Sequence, residues 1–552
     1  MDNDKKSKKE LMIVKFYRQI FVEKSLDPVQ SNEFFLIRPS PSSLGEILEK
    51  LSLEELMERK TVIQGFVSEI LRIFEGEQGL RLFNACQTLS VLVHYVSKRV
   101  ENVSQLQCLV LPGHPRDFAQ IFSQRLRDVI VGDSCLTLKI SMLNTLTSLW
   151  ICFKKCENNS VFYAMANDDV FDALIAVFSY SDLKPLQLSA LPLFVVLLRC
   201  TGEQQTRFSA RFASLEDNIG VIPPESHLKV FNEGNSNNFS LFLSFVSFIF
   251  SDFNQENQKI HAKLCLLILW HIADEPYVQS AMQDIHLANR ISLYKPSMLH
   301  RAASFEPISP VPTTLSKALL ELLTDFNSTH LMQQFPFSHY HLSLAIIHRV
   351  LIYHKKCRIS LQSWRPLFKS LVSIINFLTQ NNSKLSLEDT FGLLHRSLLV
   401  ANFFITYGDT FLPDAAAYDF LYYEISRQSS VFIKLKNITI EKLENCNVSK
   451  NFLEKVNNQL INILAIIEHI RPKLEIVAHS YPSEEQVISI VQGCFQDLTL
   501  KLYEGLEYVE QPQSFKSDII LNNITESMPL PVTSFWAEKM DYNVIVDLLS
   551  NF

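Results

Sequence analysis

The chain has 552 residues, of which 47% are hydrophobic and 20% are charged, a composition typical of folded globular proteins. Its formal charge of −7 gives no overall basic field that would attract nucleic acid. It contains only 13 glycines, whereas average usage of roughly 7% would give about 39. Phosphate-binding loops and tight strand turns both need glycine, so this composition disfavours nucleotide-binding α/β folds and all-β folds. A helical protein is therefore expected.

The first segment is basic and leads into an amphipathic stretch, KELMIVKFYRQIF. Its basic residues are Lys5, Lys6, Lys8 and Lys9. One interpretation is a helix that lies on an anionic membrane, where each basic side chain contributes about 1 kcal/mol. The other, which we favour, is a solvated tail that precedes the first helix, because a stack of helices needs polar ends. The segment lacks the apolar core of a secretory signal, so we expect a cytosolic protein.

Ten cysteines are scattered along the chain without a CxxC pair, which indicates free thiols in a reducing compartment. Cys152 and Cys156 have helical spacing, but no histidine lies near them in the sequence to complete a metal site. His339 and His341 are poorly spaced for a metal pair on a helix. We predict no metal site, no cofactor and no catalytic residue.

Apolar residues recur at spacings of three and four along most of the chain, which predicts helices. The predicted helices are 9–24, 60–75, 79–99, 134–155, 160–178, 184–201, 239–253, 256–273, 313–333, 338–355, 365–380 and 386–407. A further apolar stripe covers 453–470, and another follows a capping box at Ser483 and Gln486 and continues to Leu498. No stretch alternates as a half-buried strand does. We predict an all-α fold, an armadillo- or HEAT-like right-handed solenoid of antiparallel helix pairs with roughly 40 residues per pair.

Proline- and glycine-rich segments divide this pattern into parts. The expected parts are a basic tail at 1–10, an N-terminal helical solenoid at 11–214, a loop at 215–238, a C-terminal helical solenoid at 239–508 that contains a second loop at 291–313, and a proline-containing tail with a short terminal helix at 509–552. Exposed loops of this kind tether partners or have no role.

The stretch ANFFITYGDTFLPDAAAYDFLYYEISR (401–427) looks like a corner between two helices. We predict that Gly408 ends the first helix in a left-handed conformation, that Pro413 prevents its continuation and that Asp414 caps the second helix. The whole hairpin motif comprises Tyr407, Gly408, Asp409, Pro413 and Asp414. A catalytic interpretation would use Asp409 with Thr410, but no base or oxyanion donor lies nearby in the sequence.

Two uncharged apolar runs raise the question of a membrane span. The run from Ser397 to Gly408 has twelve residues and the run from Phe239 to Ser251 has thirteen. A spanning helix needs about 20 apolar residues. We therefore expect both runs to be buried solenoid helices.

Two groups of side chains are candidates for partner or lipid contacts. The basic group contains Lys355, Lys356, Arg358 and Arg365, and the aromatic pair is Tyr418 and Tyr422. The basic group could bind a phosphoinositide head group or an acidic peptide, or it could complement the C-terminal dipole of its own helix. The tyrosines could form a docking groove or belong to the core. We favour the structural interpretation for both groups, with Cys357 as a small buried residue.

Several long stretches resemble one known family. They are KLCLLILWHIADEPY (263–277), THLMQQFPFSHY (329–340), HRVLIYHKKCRISLQSWRPLFKSLVSIINFL (348–378), NFFITYGDTFLP with AYDFLYYEISR (402–427) and SEEQVISIVQGCFQDLTLKLYEGL (483–506). In this order they are similar to the C-terminal part of the armadillo-like helical domain-containing protein 3 family. The resemblance runs with gaps from about residue 8 to 508 and is strongest from 260 onward.

The resemblance implies an armadillo-like fold and a cytosolic protein that acts at Golgi membranes. It implies an adaptor that binds phosphatidylinositol 4-kinase beta, supports phosphatidylinositol 4-phosphate and Golgi organisation, and has a link to a Golgi Arf exchange factor. This chain differs in two places, since the long middle insertion is reduced to 215–238 and the tail after 508 diverges. Oligomeric state does not follow from the resemblance.

Two other functions are compatible with the sequence patterns. A general armadillo-type carrier would bind basic cargo in a groove rich in Asp and Glu. A hydrolase would depend on Asp409, and its activity would disappear in Asp409→Ala. We favour the adaptor.

Overall fold

A computed structural model describes residues 2–30, 33–153, 160–178, 180, 183–198, 208, 212, 238–251, 253, 256–284, 292–295, 304–307, 314–331, 336–445, 450–478, 483–494 and 498–508. The fold of these residues is helical, which confirms the predicted fold class. The chain divides into two compact units. The described residues of the N-terminal unit lie within 2–208, and those of the C-terminal unit are 212 and 238–508.

The N-terminal unit is built from repeats of three helices. Its elements are α1 (Asp2–Phe21), α2 (Asp27–Gln30), the 3-10 turn η1 (Phe34–Leu36), α3 (Pro41–Glu49), α4 (Leu53–Glu58), α5 (Lys60–Gly76), α6 (Leu80–Arg99), α7 (Val103–Val110), α8 (Pro115–Val131), α9 (Leu136–Phe153), α10 (Ser160–Met165), α11 (Asp168–Phe178) and α12 (Lys184–Leu198). Helices α3, α6, α9 and α12 pack side by side in one layer, and α5, α8 and α11 form the other. The short helices α4, α7 and α10 each begin a triplet, as in armadillo repeats, where the sequence predicted pairs.

Several helices of this unit were not predicted. The longest is α8, whose start has ordinary signals: Pro115 occupies the first turn and His114 Nδ1 accepts a hydrogen bond from the Arg116 amide. The single helix predicted at 160–178 is two helices, because Asn167 caps the second by accepting a hydrogen bond from the Val170 amide at 3.1 Å. The tail predicted at 1–10 is helical from Asp2 onward.

An aromatic cluster holds the first helices of this unit together. The ring centroid of Phe34 lies 6.2 Å from that of Tyr17 and 5.7 Å from that of Phe66. Beside the cluster, Asn84 Nδ2 on α6 donates to the carbonyl oxygen of Phe35 at 2.8 Å. The segment that contains η1 is thus fixed by buried rings and by a buried amide.

The C-terminal unit stacks helices in pairs, as predicted. Its elements are α13 (Asn238–Ser251), α14 (Glu256–Ile272), α15 (Pro276–Ala281), β1 (Ser292–Lys295), β2 (Ser304–Pro307), α16 (Leu315–Thr329), α17 (Phe337–Cys357), α18 (Trp364–Asn381), α19 (Leu387–Phe411), α20 (Ala415–Arg427), α21 (Ser429–Asn445), α22 (Lys450–Ala478) and α23 (Glu484–Gln492). Helices α14, α17, α19 and α22 form one layer, and α13, α16, α18 and α21 form the other. Helix α20 packs on α22 and α23.

A two-stranded hairpin lies in the segment 291–313, which was predicted as a loop. Strands β1 and β2 pair antiparallel, with Ser292 opposite Pro307. The hairpin packs on α13, where the Tyr294 amide donates to Ser247 Oγ at 2.8 Å. Four residues per strand are too few to show the alternation by which strands are recognised in a sequence.

Residues 215–237 of the loop predicted at 215–238, and the tail predicted at 509–552, lie outside the described residues, whereas Asn238 begins α13. In the part of the chain that is described, no helix is both long enough and apolar enough to cross a membrane. The two apolar runs that raised this question lie in α13 and α19, where most of their side chains are buried.

Candidate functional site

The predicted corner at 401–427 exists, but Gly408 has a different role from the one expected. Helix α19 continues through Gly408 to Phe411, and the backbone of Gly408 does not have a positive φ. A Cβ atom at this position would lie 2.8 Å from Tyr418 Cε2 and 2.9 Å from Leu412 Cδ1. The prediction of a left-handed helix end was therefore wrong, and glycine is needed because α20 approaches closely.

The second half of the corner agrees with the sequence. Asp414 accepts a hydrogen bond from the Ala417 amide at 2.7 Å and caps α20. The hydroxyl of Tyr418 donates to the carbonyl oxygen of Ile405, and Tyr422 is buried. Tyr418 thus ties α20 to α19, and the ring of Tyr422 lies 5.4 Å from that of Tyr418, so the placement of both agrees with the core interpretation.

The residues of the catalytic alternative are not arranged for chemistry. The hydroxyl of Thr410 donates to the carbonyl oxygen of Tyr407 at 2.6 Å, and Asp409 is exposed. Within the described residues, no group of three or more His, Cys, Asp or Glu side chains could hold a metal ion. Cys152 is a buried thiol that accepts a hydrogen bond from Ser97 Oγ at 3.4 Å, whereas Cys156 lies outside the described residues.

The basic group at the end of α17 has mixed roles. Arg358 adopts a left-handed conformation with φ 51° and ends the helix, and Lys356 is exposed in the last turn. Cys357 is exposed, so the prediction of a buried thiol was wrong. The guanidinium carbon of Arg365 lies 3.6 Å from the ring centroid of Phe420, a cation–π contact that links α18 to α20.

Lys355 of this group leads to a feature that the sequence did not predict. Its Nζ forms an ion pair with Glu507 and lies 4.0 Å from the ring centroid of Tyr407. Glu507 belongs to residues 498–508, a segment that follows α23 in the sequence and contains no helix. This segment is hydrogen-bonded to α22 at one end and to α17 at the other, the two helices that flank α19 in their layer. We call this segment the strap.

One end of the strap is held through its backbone by α22. Asn462 Oδ1 accepts a hydrogen bond from the Lys501 amide, and Asn462 Nδ2 donates to the Lys501 carbonyl oxygen, both at 2.8 Å. One buried amide thus satisfies both backbone groups of a strap residue. Two residues further, the hydroxyl of Tyr503 donates to the carbonyl oxygen of Asn458 at 2.5 Å.

The other end of the strap is held by α17. Leu506 is only 1% exposed, and its carbonyl oxygen accepts a hydrogen bond from His348 Nε2 at 2.7 Å. Burial lowers the pKa of His348 to about 4. At neutral pH the imidazole is therefore uncharged, and Nε2 must carry the hydrogen because a carbonyl oxygen can only accept.

Helix α19 joins these two ends into one face. The ring of Phe403 lies 5.4 Å from that of His348, centroid to centroid. On the other side, Asn402 Nδ2 donates to the carbonyl oxygen of Gln459 on α22 at 2.7 Å. We call this surface, formed by α17, α19 and α22, the strap-binding face.

The strap-binding face lies in a region that matches a known protein family. The family described as armadillo-like helical domain-containing protein 3, C-terminal, matches residues 313–528. The protein of that name from Xenopus laevis is 27% identical over 626 aligned positions, which cover 90% of each chain. The human and zebrafish (Danio rerio) proteins of the same name are each 37% identical, over 264 and 268 residues that cover 47% of this chain and 38% and 39% of those proteins.

Residues 313–528 belong to the armadillo-like helical domain-containing protein 3 family, and the chain is similar to the Xenopus protein of that name over 90% of its length. The family match includes α16 to α23 and the whole strap. It extends to residue 528, beyond 508, where divergence was expected. The Xenopus alignment has more positions than this chain has residues, so that relative contains residues that this chain lacks.

Sequence reasoning found one side chain of the strap-binding face and missed the others. An acidic peptide was one of the alternative ligands for the basic group that contains Lys355, although a structural role was favoured, and Lys355 pairs with an acidic residue of the chain itself. The helix predicted from Ser483 to Leu498 ends at Gln492, next to Gly493, a residue with low helix propensity. The glycine at position 505 was a signal in the sequence that the strap is not helical, and in the structure its φ is 76°. The side chains of the N-terminal lysines at 5, 6, 8 and 9 lie outside the described residues.

Proposed function

We propose that this chain is a non-enzymatic adaptor that binds phosphatidylinositol 4-kinase beta at the cytosolic face of Golgi membranes and supports phosphatidylinositol 4-phosphate levels and Golgi organisation. The partner and the location come from the family resemblance, as does a Golgi Arf exchange factor as a second partner. The observation that supports an adaptor most directly is the family match over 313–528, because this region carries the strap-binding face.

Stacked helix layers suit such a function. Each helix of a layer packs on its neighbours, so the outer faces of successive helices form an extended surface for protein contacts. Asp409 and Thr410 are not arranged for catalysis, which argues for binding over hydrolysis.

The charge of the strap-binding face bears on the kind of partner. Lys355 meets an acidic strap residue, and Lys356 and Arg358 are exposed beside it. A carrier of basic cargo would instead need a groove lined with Asp and Glu. The arrangement therefore favours an acidic protein segment as the ligand.

A direct binding assay tests the adaptor proposal. Immobilised full-length chain should retain purified phosphatidylinositol 4-kinase beta, and the double variant Lys356→Glu with Arg358→Glu should retain roughly tenfold less at limiting kinase, as expected when rim charges are reversed. Lys384→Glu, an exposed lysine between α18 and α19, is the matched control and should bind as the wild type does.

A cellular assay tests the consequence. Depletion of the protein should lower phosphatidylinositol 4-phosphate at the Golgi, and re-expression of the wild-type chain should restore it. If purified kinase is not retained and depletion leaves the Golgi lipid unchanged, the adaptor proposal is wrong.

A further inference from the structure

The strap is bound in the way that an extended peptide ligand is bound. The strap groups to which Asn462 and His348 hydrogen-bond are backbone groups, those of Lys501 and the carbonyl oxygen of Leu506. Contacts of this kind fix the direction and register of a chain without specifying those side chains. A segment from another protein could make the same hydrogen bonds.

Specificity comes from three strap side chains. Tyr503 is 8% exposed and hydrogen-bonded at Asn458, Leu506 is 1% exposed, and Glu507 pairs with Lys355. These positions define a pattern: an aromatic residue, then leucine three positions later, then an acidic residue. Gly505 supplies the left-handed turn that brings Leu506 to the face.

The strap is peripheral to the helix layers. Leu502 is 77% exposed and Tyr508 is 69% exposed, so two of the strap's six large apolar side chains point away from the face. Helix α19 packs directly on α17 and on α22, and it also packs on α18 of the other layer. The layers are therefore built without the strap, and its departure would leave a formed face.

From these contacts we infer that the strap-binding face is a binding site for an extended segment of a partner protein, and that the strap occupies this site until the partner segment displaces it. The partner segment has the same chemistry as the strap: aromatic, two intervening residues, leucine, acidic residue. This inference rests on the proposed function only in that the ligand is a protein, and its test uses no kinase.

The strap's own sequence is the probe. A fluorescent peptide LTLKLYEGLEY (498–508) is titrated into full-length chains and its anisotropy is measured. Leu506→Asp places a charge in the buried position and should release the strap, whereas Leu502→Asp makes the same change on the exposed side and is the control. A tethered segment competes at an effective concentration on the order of millimolar. A peptide with a Kd of about 10 μM for the released chain should thus bind the wild type and Leu502→Asp roughly 100-fold more weakly.

Two further variants define the site. Adding Asn462→Ala to Leu506→Asp removes the backbone contact and should abolish peptide binding, and a peptide that carries Leu506→Asp should bind no chain. Hydrogen–deuterium exchange should show faster exchange in 498–508 of the released chain, with α17, α19 and α22 still protected.

Other results would overturn the inference. If the peptide does not bind the released chain, or if α17, α19 and α22 lose protection together with the strap, then the strap is part of the core and no site lies beneath it. A second copy as the occupant would appear as a dimer in light scattering that the free peptide dissociates, and this would exclude a different partner protein as the ligand.

Discussion

Each of the two compact units holds a segment that is not α-helical with a buried asparagine, but the side chains of the two segments are buried to different depths. In the N-terminal unit, Asn84 binds the carbonyl oxygen of Phe35, and the neighbouring Phe34 is 2% exposed within a cluster of rings. In the C-terminal unit, Asn462 binds the backbone of Lys501, yet Leu502 beside it is 77% exposed. The first segment is part of a core and the second lies on a surface. Similar hydrogen bonds therefore hold both the η1 segment, which is part of the core, and the strap, which we infer can be displaced. The burial of the side chains distinguishes the two segments.

The largest expected effect comes from the segment in the core. Phe34→Ala removes a buried ring and should lower the free energy of unfolding of the N-terminal unit by about 3–5 kcal/mol. Leu506→Ala should instead open the strap locally, because the loss cannot exceed the free energy that holds the strap on its face. Hydrogen–deuterium exchange in denaturant distinguishes the two. Global loss of protection of the C-terminal unit in Leu506→Ala would contradict the comparison.

Acid should destabilise the C-terminal unit more than the N-terminal unit. Burial lowers the pKa of His341 to about 3 and those of His348 and His354 to about 4, with Arg396 contributing at His341 and His348. The unfolded chain takes up protons near pH 6.5 and the folded chain does not, so stability falls as pH decreases from about 6.5 to 4. Since one pKa unit corresponds to about 1.4 kcal/mol, each such histidine costs about 3 kcal/mol at pH 4.

The N-terminal unit provides the contrast in this pH experiment. Burial lowers the pKa of Lys139 to about 8, so its cost develops as pH falls from about 10.5 to 8 and is constant below that. Urea unfolding followed by hydrogen–deuterium exchange, corrected for intrinsic exchange rates, gives the stability of each unit between pH 7 and 4. His348→Gln keeps a donor for Leu506 and should flatten the slope for the C-terminal unit. Equal slopes in both units would refute this difference.

Two glycines of α19 should respond in opposite directions to the same substitution. Gly408→Ala would press a methyl group against Tyr418 and Leu412 and should destabilise the C-terminal unit by about 1–3 kcal/mol. At Gly392 the nearest side-chain atom is 3.8 Å from the point that an added methyl group would occupy, so Gly392→Ala should stabilise by about 0.5–1 kcal/mol through helix propensity. Gly408→Val should lower the stability of the C-terminal unit more than Gly408→Ala does. Thermal unfolding measures all three, and a neutral Gly408→Ala would exclude close packing as the reason for glycine.

The smallest expected effect compares two capping boxes, one in each unit. Ser52 with Glu55 caps α4, and Ser483 with Gln486 caps α23. Ser→Ala should cost about 1 kcal/mol at either position at pH 7. The hydrogen bond from the Ser52 amide lowers the pKa of Glu55, so the contribution of that box is lost as pH falls through the folded pKa, whereas Gln486 does not titrate. Local exchange of the two helix starts at pH 7 and pH 3 tests whether only the first cap weakens.

The sequence predicted helix caps and helix bounds, because interactions between residues close in the sequence determine both. The capping box at Ser483 and the cap at Asp414 were found because each depends on residues within three positions. Helix bounds such as those of α18 followed from a regular apolar stripe. The predicted role of Gly408 was wrong because the need for glycine comes from the close approach of Tyr418, which lies on the next helix.

The strap-binding face was beyond this kind of inference. The hydrogen bond between His348 and Leu506 joins residues 158 positions apart. No spacing rule connects residues so far apart in the sequence. Lys355 was found because it lies in a dense basic group, but the structural role favoured for that group was to complement the helix dipole, and the pairing with Glu507 was not predicted.

The double hydrogen bond from Asn462 also has an evolutionary consequence. Because this amide contacts main-chain atoms, any residue except proline could replace Lys501 without loss of either bond. Across related sequences we therefore expect free variation at Lys501 and Glu504, with Asn462, Tyr503, Gly505 and Leu506 retained. Selection would then act mainly on the residues that fix the course of the strap backbone, and only weakly on the identity of the strap residues between them.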